Sequence, residues 1–206
     1  THARALGLTL ESTAPVLAPS RAWEHYDLGR SCLRSGQIRE ASEEFRRALE
    51  QSPQDFWPNF YQGLCAYRLG EYEDACAAFR TCIALAPAAA ECYYNRALAH
   101  EALGRGKHAI SDYSRALELD SGLTAAALNR GLLSYKAGRY DDAIADLLRS
   151  LRAASGPVAI GLIHYNLALA YLAAGDRSSA RANGEKARNL GWGEARGLCD
   201  HLRRGW

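Results

Sequence analysis

The sequence predicts an all-α chain, an α-solenoid of five helical hairpins closed by a short C-terminal capping helix. Three observations carry this. First, residue types recur every 34 positions. Ala41, Ala75, Ala109 and Ala143 are 34 apart, as are Gly36, Gly70, Gly104 and Gly138. Second, each unit pairs two stretches of helical apolar spacing around a short glycine-containing break, such as Gly104-Arg105-Gly106-Lys107. Third, one large residue per unit, Phe45, Phe79, Tyr113 and Leu147, is followed three positions on by a small one: Ala48, Cys82, Ala116 and Ser150. A period of this size marks stacked supersecondary units. Each hairpin contacts only its neighbours, and the core is a continuous seam.

In chain order, residues 1–21 lack the period, and Pro15 and Pro19 oppose a helix there. They are expected to form a lead-in segment. Its apolar strip, Leu6, Leu8, Leu10, Val16 and Leu17, suggests an alternative in which the segment docks on the array or in a neighbour's groove. The array itself is expected over 22–190. Helix pairs are expected at 22–35 with 38–51, 56–69 with 72–85, 90–103 with 106–119, 124–137 with 140–153, and 160–173 with 177–190. Small residues such as Gly29 and Ala41 leave room where paired helices cross, and Pro53 and Pro87 stop one pair before the next begins. The interval from Ala143 to Ala180 is 37, so three extra residues are expected in a loop around Ser155-Gly156-Pro157. After Leu190, Leu198, Cys199 and Leu202 suggest a short amphipathic helix over 191–206 that covers the last hairpin.

These features resemble the tetratricopeptide repeat (TPR) family. Its pattern places small residues at positions 8, 20 and 27, aromatics at 11 and 24, glycine at 15 and proline at 32. The repeats are framed as 22–55, 56–89, 90–123, 124–157 and 161–194. Repeat one supplies Gly29, Gly36, Ala41, Phe45, Ala48 and Pro53, and repeat two supplies Gly63, Gly70, Ala75, Phe79, Cys82 and Pro87. Repeat three departs at Ser121, where proline is usual, and repeat five keeps Ala168, Tyr171, Gly175, Ala180 and Ala187. The resemblance implies a right-handed superhelix and a non-catalytic, protein-binding role.

Bulk properties narrow the classes. A net charge of +2 over 206 residues argues against a dedicated nucleic-acid binder. No apolar run is long enough to span a bilayer. The six cysteines, 32, 65, 76, 82, 92 and 199, show no metal-ligand spacing and are expected as reduced packing residues of a cytoplasmic protein. His25 and His164 share the fourth repeat position and read as helix-packing residues, as does His100. No catalytic motif, phosphate loop or metal-binding motif appears, so neither an active site, a metal nor a cofactor is expected. The chain contains no methionine, which suggests a piece of a longer polypeptide. An alternative function is therefore a regulatory or substrate-recruiting appendage of a larger enzyme such as a kinase. RNA binding through groove aromatics and arginines is a weaker one.

The resemblance also says where partners bind: the inner groove, lined by first-helix positions 2, 5, 6, 9, 12 and 13. Those positions share one helical stripe. Here they supply Tyr26, Phe60, Tyr94 and Tyr165, preceded by Trp23 and Trp57. They also supply Tyr67, the cations Arg30, Arg34, Arg68 and Lys136, and a row of amides, Asn95, Asn129 and Asn166. An amide offers both donor and acceptor, so such a row suits the backbone of an extended peptide. Aromatics and arginine are the types that dominate binding energy. The competing readings are packing for the aromatics and helix-to-helix ties for the amides. The residues with which chaperone-binding members clamp a C-terminal carboxylate are absent in every frame; repeats one to three give Tyr26, Arg30, Tyr61, Glu91 and Asn95 instead. The expected partner is an unidentified protein or peptide, with self-association as an alternative; no membrane is expected, and nucleic acid is disfavoured.

Overall fold

A computed structural model describes residues 21–204. The lead-in and its docking alternative lie outside the described residues. Eleven helices and no strand occur among the described residues: α1 (Ala22–Arg34), α2 (Ile38–Gln51), α3 (Phe56–Leu69), α4 (Tyr72–Leu85), α5 (Ala90–Ala102), α6 (Gly106–Leu119), α7 (Thr124–Lys136), α8 (Tyr140–Ala153), α9 (Pro157–Ala173), α10 (Arg177–Asn189) and α11 (Ala195–Arg204). Each helix packs on the one before and the one after it. The result is a solenoid of hairpins.

Two kinds of turn alternate. Within a hairpin the first helix ends at a left-handed glycine. At Gly70 φ is +82°, and the Glu71 N–H reaches back to the Ala66 carbonyl at 2.9 Å. That six-residue closure needs a residue with positive φ, which glycine adopts without strain. The same closure recurs at the glycine of every other hairpin. Between hairpins the second helix instead ends at a residue with negative φ, Ser52 at −136°, Ala86 at −139° or Asp120 at −131°. Asp120 lacks the following proline, and its carboxylate accepts from the Gly122 N–H at 2.8 Å.

Contrary to the loop expected from the sequence, the three extra residues before the last hairpin do not lengthen the connection between α8 and α9. Gly156 turns the chain at φ +82°, Pro157 takes the first helical position, and α9 runs for 17 residues against 13 or 14 in the other first helices. Proline is suited to that position because its missing N–H is not needed there.

The seam is built from position 24 of each repeat. Phe45, Phe79, Tyr113 and Leu147 are all fully buried. The close approach this requires is visible at Gly63, where an added Cβ would lie 2.8 Å from Phe79 Cε1. Repeat five breaks the rule, because its position 24 is Gly184. The vacancy is filled from α11: Cys199 Sγ would stand 3.3 Å from a Cβ there, and Leu202 Cδ1 4.0 Å. Ala195, Cys199 and Leu202 form the buried stripe of the capping helix. Leu198, included in the sequence-based stripe, is only half-buried.

A polar lock at position 23 joins the two helices of four of the five hairpins. In repeats three and four it is an arginine fork. Arg96 holds both oxygens of Asp112 at 2.7 Å, and Arg130 holds both oxygens of Asp146 at 2.7 Å. In the terminal repeats it is a histidine: His25 Nδ1 lies 2.6 Å from Glu44 Oε2, and His164 Nδ1 lies 2.8 Å from Asn183 Oδ1. The acids are nearly dry, and the aligned guanidinium bonds hold the pKa of Arg96 and Arg130 above the usual value. Repeat two has Ala78 at this position and no lock of this kind. There Asn59 ties the preceding turn, donating to the Pro53 and Asp55 carbonyls, and Gln62 donates to Ser42.

Candidate functional site

First helices of neighbouring repeats touch across the helix between them, α3 with α5 and α7 with α9. That contact makes their side the inner side of the curve. The inner stripe contains the residues singled out from the sequence, and their surroundings differ from one end to the other.

At the first end the stripe is aromatic. Phe60 meets the rings of Phe56, Trp57, Tyr61 and Phe79, all within about 6 Å. Tyr26 packs against Phe45 and Tyr61, and the Arg30 guanidinium lies 5.6 Å from the Tyr26 ring centre. Arg30 is thus already engaged in a cation–π contact. Partial burial raises the pKa of Tyr26, Tyr67 and Tyr94 above the ordinary phenol value. In repeats one to three the fifth-position rings lean on the position-24 ring of their own hairpin, as Tyr94 does on Tyr113 at 5.8 Å. Tyr165 instead meets Trp192, 6.3 Å away beyond α10. These rings therefore serve the core with one face and leave the other partly open.

Among the described residues the most exposed aromatic side chains are two tryptophans outside that set. Trp23 is 59% exposed and Trp57 is 55% exposed. They share a cavity of about 220 Å³ with Ala22, Tyr26, Asp55, Phe56 and Pro58. Their place at position 2, the outermost point of the stripe, was the sequence signal for them.

The amide row is less uniform than its spacing suggests. Asn95 and Asn166 each donate back to their own helix, to the carbonyls of Glu91 at 2.7 Å and Leu162 at 2.9 Å. Asn129 reaches across to the Tyr113 hydroxyl at 3.3 Å, and that hydroxyl lies 3.1 Å from Glu101 Oε2. Burial, with Glu101 nearby, pushes the Tyr113 phenol far up, so it stays protonated. One N–H of each of these amides is thereby committed. Among the described residues no protein donor reaches the carbonyl oxygens of Asn95 and Asn166.

Arg34, Arg68 and Lys136 are exposed and occupy the last turns of α1, α3 and α7. A cation there also complements the carbonyl end of its helix. Among the described residues no cluster of histidine, cysteine and carboxylate side chains is arranged to hold a metal ion. No helix among them is long and apolar enough to cross a membrane.

Comparison with known proteins agrees with this architecture. A tetratricopeptide repeat family profile matches residues 26–90 and 128–195, and a second one matches 90–123. No curated protein matches the chain. Among solved structures, MamA from Desulfovibrio magneticus RS-1 superposes with a TM-score of 0.75 at 18% identity, over 84% of this chain and 96% of that one. YrrB, described as a TPR protein with an unusual peptide-binding site, superposes at 0.75 and 18% identity, over 89% and 92%. The first TPR of Spaghetti (RPAP3), bound to an HSP90 peptide, superposes at 0.55 and 21% identity, over 57% and 93%. Identities this low speak for the fold alone. With the 34-residue register, the glycine closures and the profile matches in agreement, the chain belongs to the tetratricopeptide repeat family.

Proposed function

We propose that the protein is a non-catalytic scaffold that binds an extended segment or helix of a partner protein along its inner groove, with an apolar side chain of the partner anchored between Trp23 and Trp57. The observation that carries this is the pair of tryptophans, each more than half exposed, around a cavity of about 220 Å³ with mostly apolar walls. Exposed tryptophan at the mouth of a concave surface is the residue type that concentrates binding energy. The amide oxygens of Asn95 and Asn166 supply acceptors for the partner's backbone N–H groups further along. Arg34, Arg68 and Lys136 supply a basic rim suited to acidic flanking residues. Peptide binding by two of the structural neighbours supports the reading. Six free thiols suit a reducing compartment, so we place the interaction in the cytoplasm.

The test starts with selection of binders from a displayed peptide library against the full chain. The selected peptide is then titrated against Trp57→Ala and against Asn95→Ala combined with Asn166→Ala. Loss of the tryptophan is expected to weaken binding at least tenfold, on the scale of about 2 kcal/mol for a hot-spot residue. The amide variant is expected to weaken it by a smaller factor while leaving the helical signal unchanged. Undiminished affinity in both variants would remove the basis of the reading.

A further inference from the structure

Two junctions of the array share an arginine fork and differ in the residues around it, most tellingly in what stands beside the arginine. Where repeat three meets repeat four, Arg130 spends Nε and Nη2 on Asp146, and its Nη1 donates to Ser114 Oγ at 2.9 Å. All three guanidinium nitrogens have acceptors. Where repeat two meets repeat three, Arg96 spends the same two nitrogens on Asp112. The residue 34 before Ser114, however, is Arg80. A hydroxyl that accepts has been exchanged for a cation that can only donate. Among the described residues neither Arg80 nor Arg96 Nη1 has a hydrogen-bond acceptor.

Arg80, Arg96, Arg105, His100, Cys76 and Glu73 line one cavity of about 170 Å³ at this junction. Asp112 balances Arg96, and Glu73 balances Arg105 through a two-pronged pair whose longer arm is 2.9 Å. Arg80 is the uncompensated charge. His100 Nδ1 lies 3.6 Å from Cys76 Sγ, and its Nε2 lies 3.9 Å from Asp112 Oδ2. Burial keeps this imidazole pKa below the ordinary value, so near neutral pH the ring adds a polar edge rather than a second free charge. The cavity is several times the ~30 Å³ that one water occupies in the liquid. Guanidinium groups in pairs are suited to tetrahedral oxyanions, which accept at several oxygens at once.

We propose that this junction is a binding site for a phosphate-type oxyanion, either free or carried on a phosphorylated side chain, seated between Arg80 and the unused edge of Arg96. It lies between α4, α5 and the turn after α5, and it uses none of the groove residues. It therefore does not rest on the peptide-binding reading.

The test uses the full chain and three probes: inorganic phosphate, a phosphoserine peptide and the same peptide unphosphorylated. Binding is followed through the NMR signals of the His100 ring and the Arg96 guanidinium. Arg80→Ser installs the acceptor that the next junction already has. Wild type is expected to give a saturable shift with phosphate, and Arg80→Ser to weaken it at least tenfold, the scale of one charge-assisted bond. Preference for the phosphopeptide over both other probes would assign the natural ligand to a modified protein, and equal response to phosphate alone would assign it to the free ion. Wild-type affinity in Arg80→Ser would overturn the proposal. So would phosphate shifts of equal size at Arg130.

Discussion

Replacing Arg130 with alanine removes three hydrogen bonds but, more importantly, strands a carboxylate. The Asp146 side chain is 7% exposed, whereas that of Arg130 is 24% exposed. Water can scarcely reach the acid once its partner is gone, and breaking a buried pair from one side typically costs about 3–5 kcal/mol. Asp146→Ala leaves the opposite orphan, a long cation with a quarter of its side chain already in water and freedom to swing outward. Its loss is expected at roughly 1–3 kcal/mol, below the full range for a stranded buried charge. Substituting both by leucine removes the charges together and is expected to land within about 1 kcal/mol of the parent, because the attraction of a buried pair is largely offset by its desolvation. Thermal unfolding followed by helical circular dichroism reads all three variants, with about 2–4 °C per kcal/mol for a chain of this size. Arg130→Ala should therefore melt roughly 6–20 °C lower. Hydrogen exchange should confine the loosening to α6–α9, since each repeat leans only on its neighbours. An Arg130→Ala loss smaller than that of Asp146→Ala, or single losses that simply add in the double variant, would refute the assignment of these residues as an interhelical lock.

Two glycines separate packing from backbone conformation. Gly63→Ala gains about 1 kcal/mol of helix propensity but drives a Cβ to 2.8 Å from the fully buried Phe79 ring. A net loss of up to about 2 kcal/mol is expected in urea unfolding, since overpacking of this kind costs roughly 1–3 kcal/mol. Gly70→Ala meets nothing within 4 Å and is expected to lose about 1–2 kcal/mol through its positive φ alone. Leu202→Ala opens the cover over Gly184 and is expected to lower the unfolding free energy by about 2–3 kcal/mol, measured by the same titration. Thiol titration of the folded protein should find Cys32 reacting first, with the five buried cysteines released on unfolding. Burial pushes the Cys65 thiol up to about 11. Folding therefore favours its neutral form, and the stability it contributes is complete below the ordinary thiol range and falls as pH rises through that range toward 11. A pH series of melting temperatures for wild type against Cys65→Ala checks the sign.

The helices, their register and the within-hairpin turns were legible in the sequence because each rests on local rules repeated every 34 residues. Gly36, Gly70, Gly104 and Gly138 announce the same left-handed closure. The locks are not legible there, although Arg96 with Asp112 and Arg130 with Asp146 repeat one 16-residue separation. Their meaning depends on how two helices face each other, and in the terminal repeats a histidine nearer the start of the first helix meets the same position 23. Of the groove set, the sequence placed the residues on one stripe. It did not show that Asn95 and Asn166 turn back onto their own carbonyls while Asn129 crosses to Tyr113.

What the sequence determined alone was periodic: an apolar and small-residue rhythm that admits one kind of hairpin and one way of stacking it. What the tertiary structure decided was whatever breaks that rhythm. Gly184 leaves a hole that α11 fills, Arg80 and Arg96 line one cavity where the next junction has a hydroxyl beside its arginine, and Trp23 and Trp57 stay in the open at the end of the stripe. Repetition sets backbone geometry through local forces. Exceptions acquire their consequences from side chains brought together across repeats, and those encounters exist only once the chain has folded.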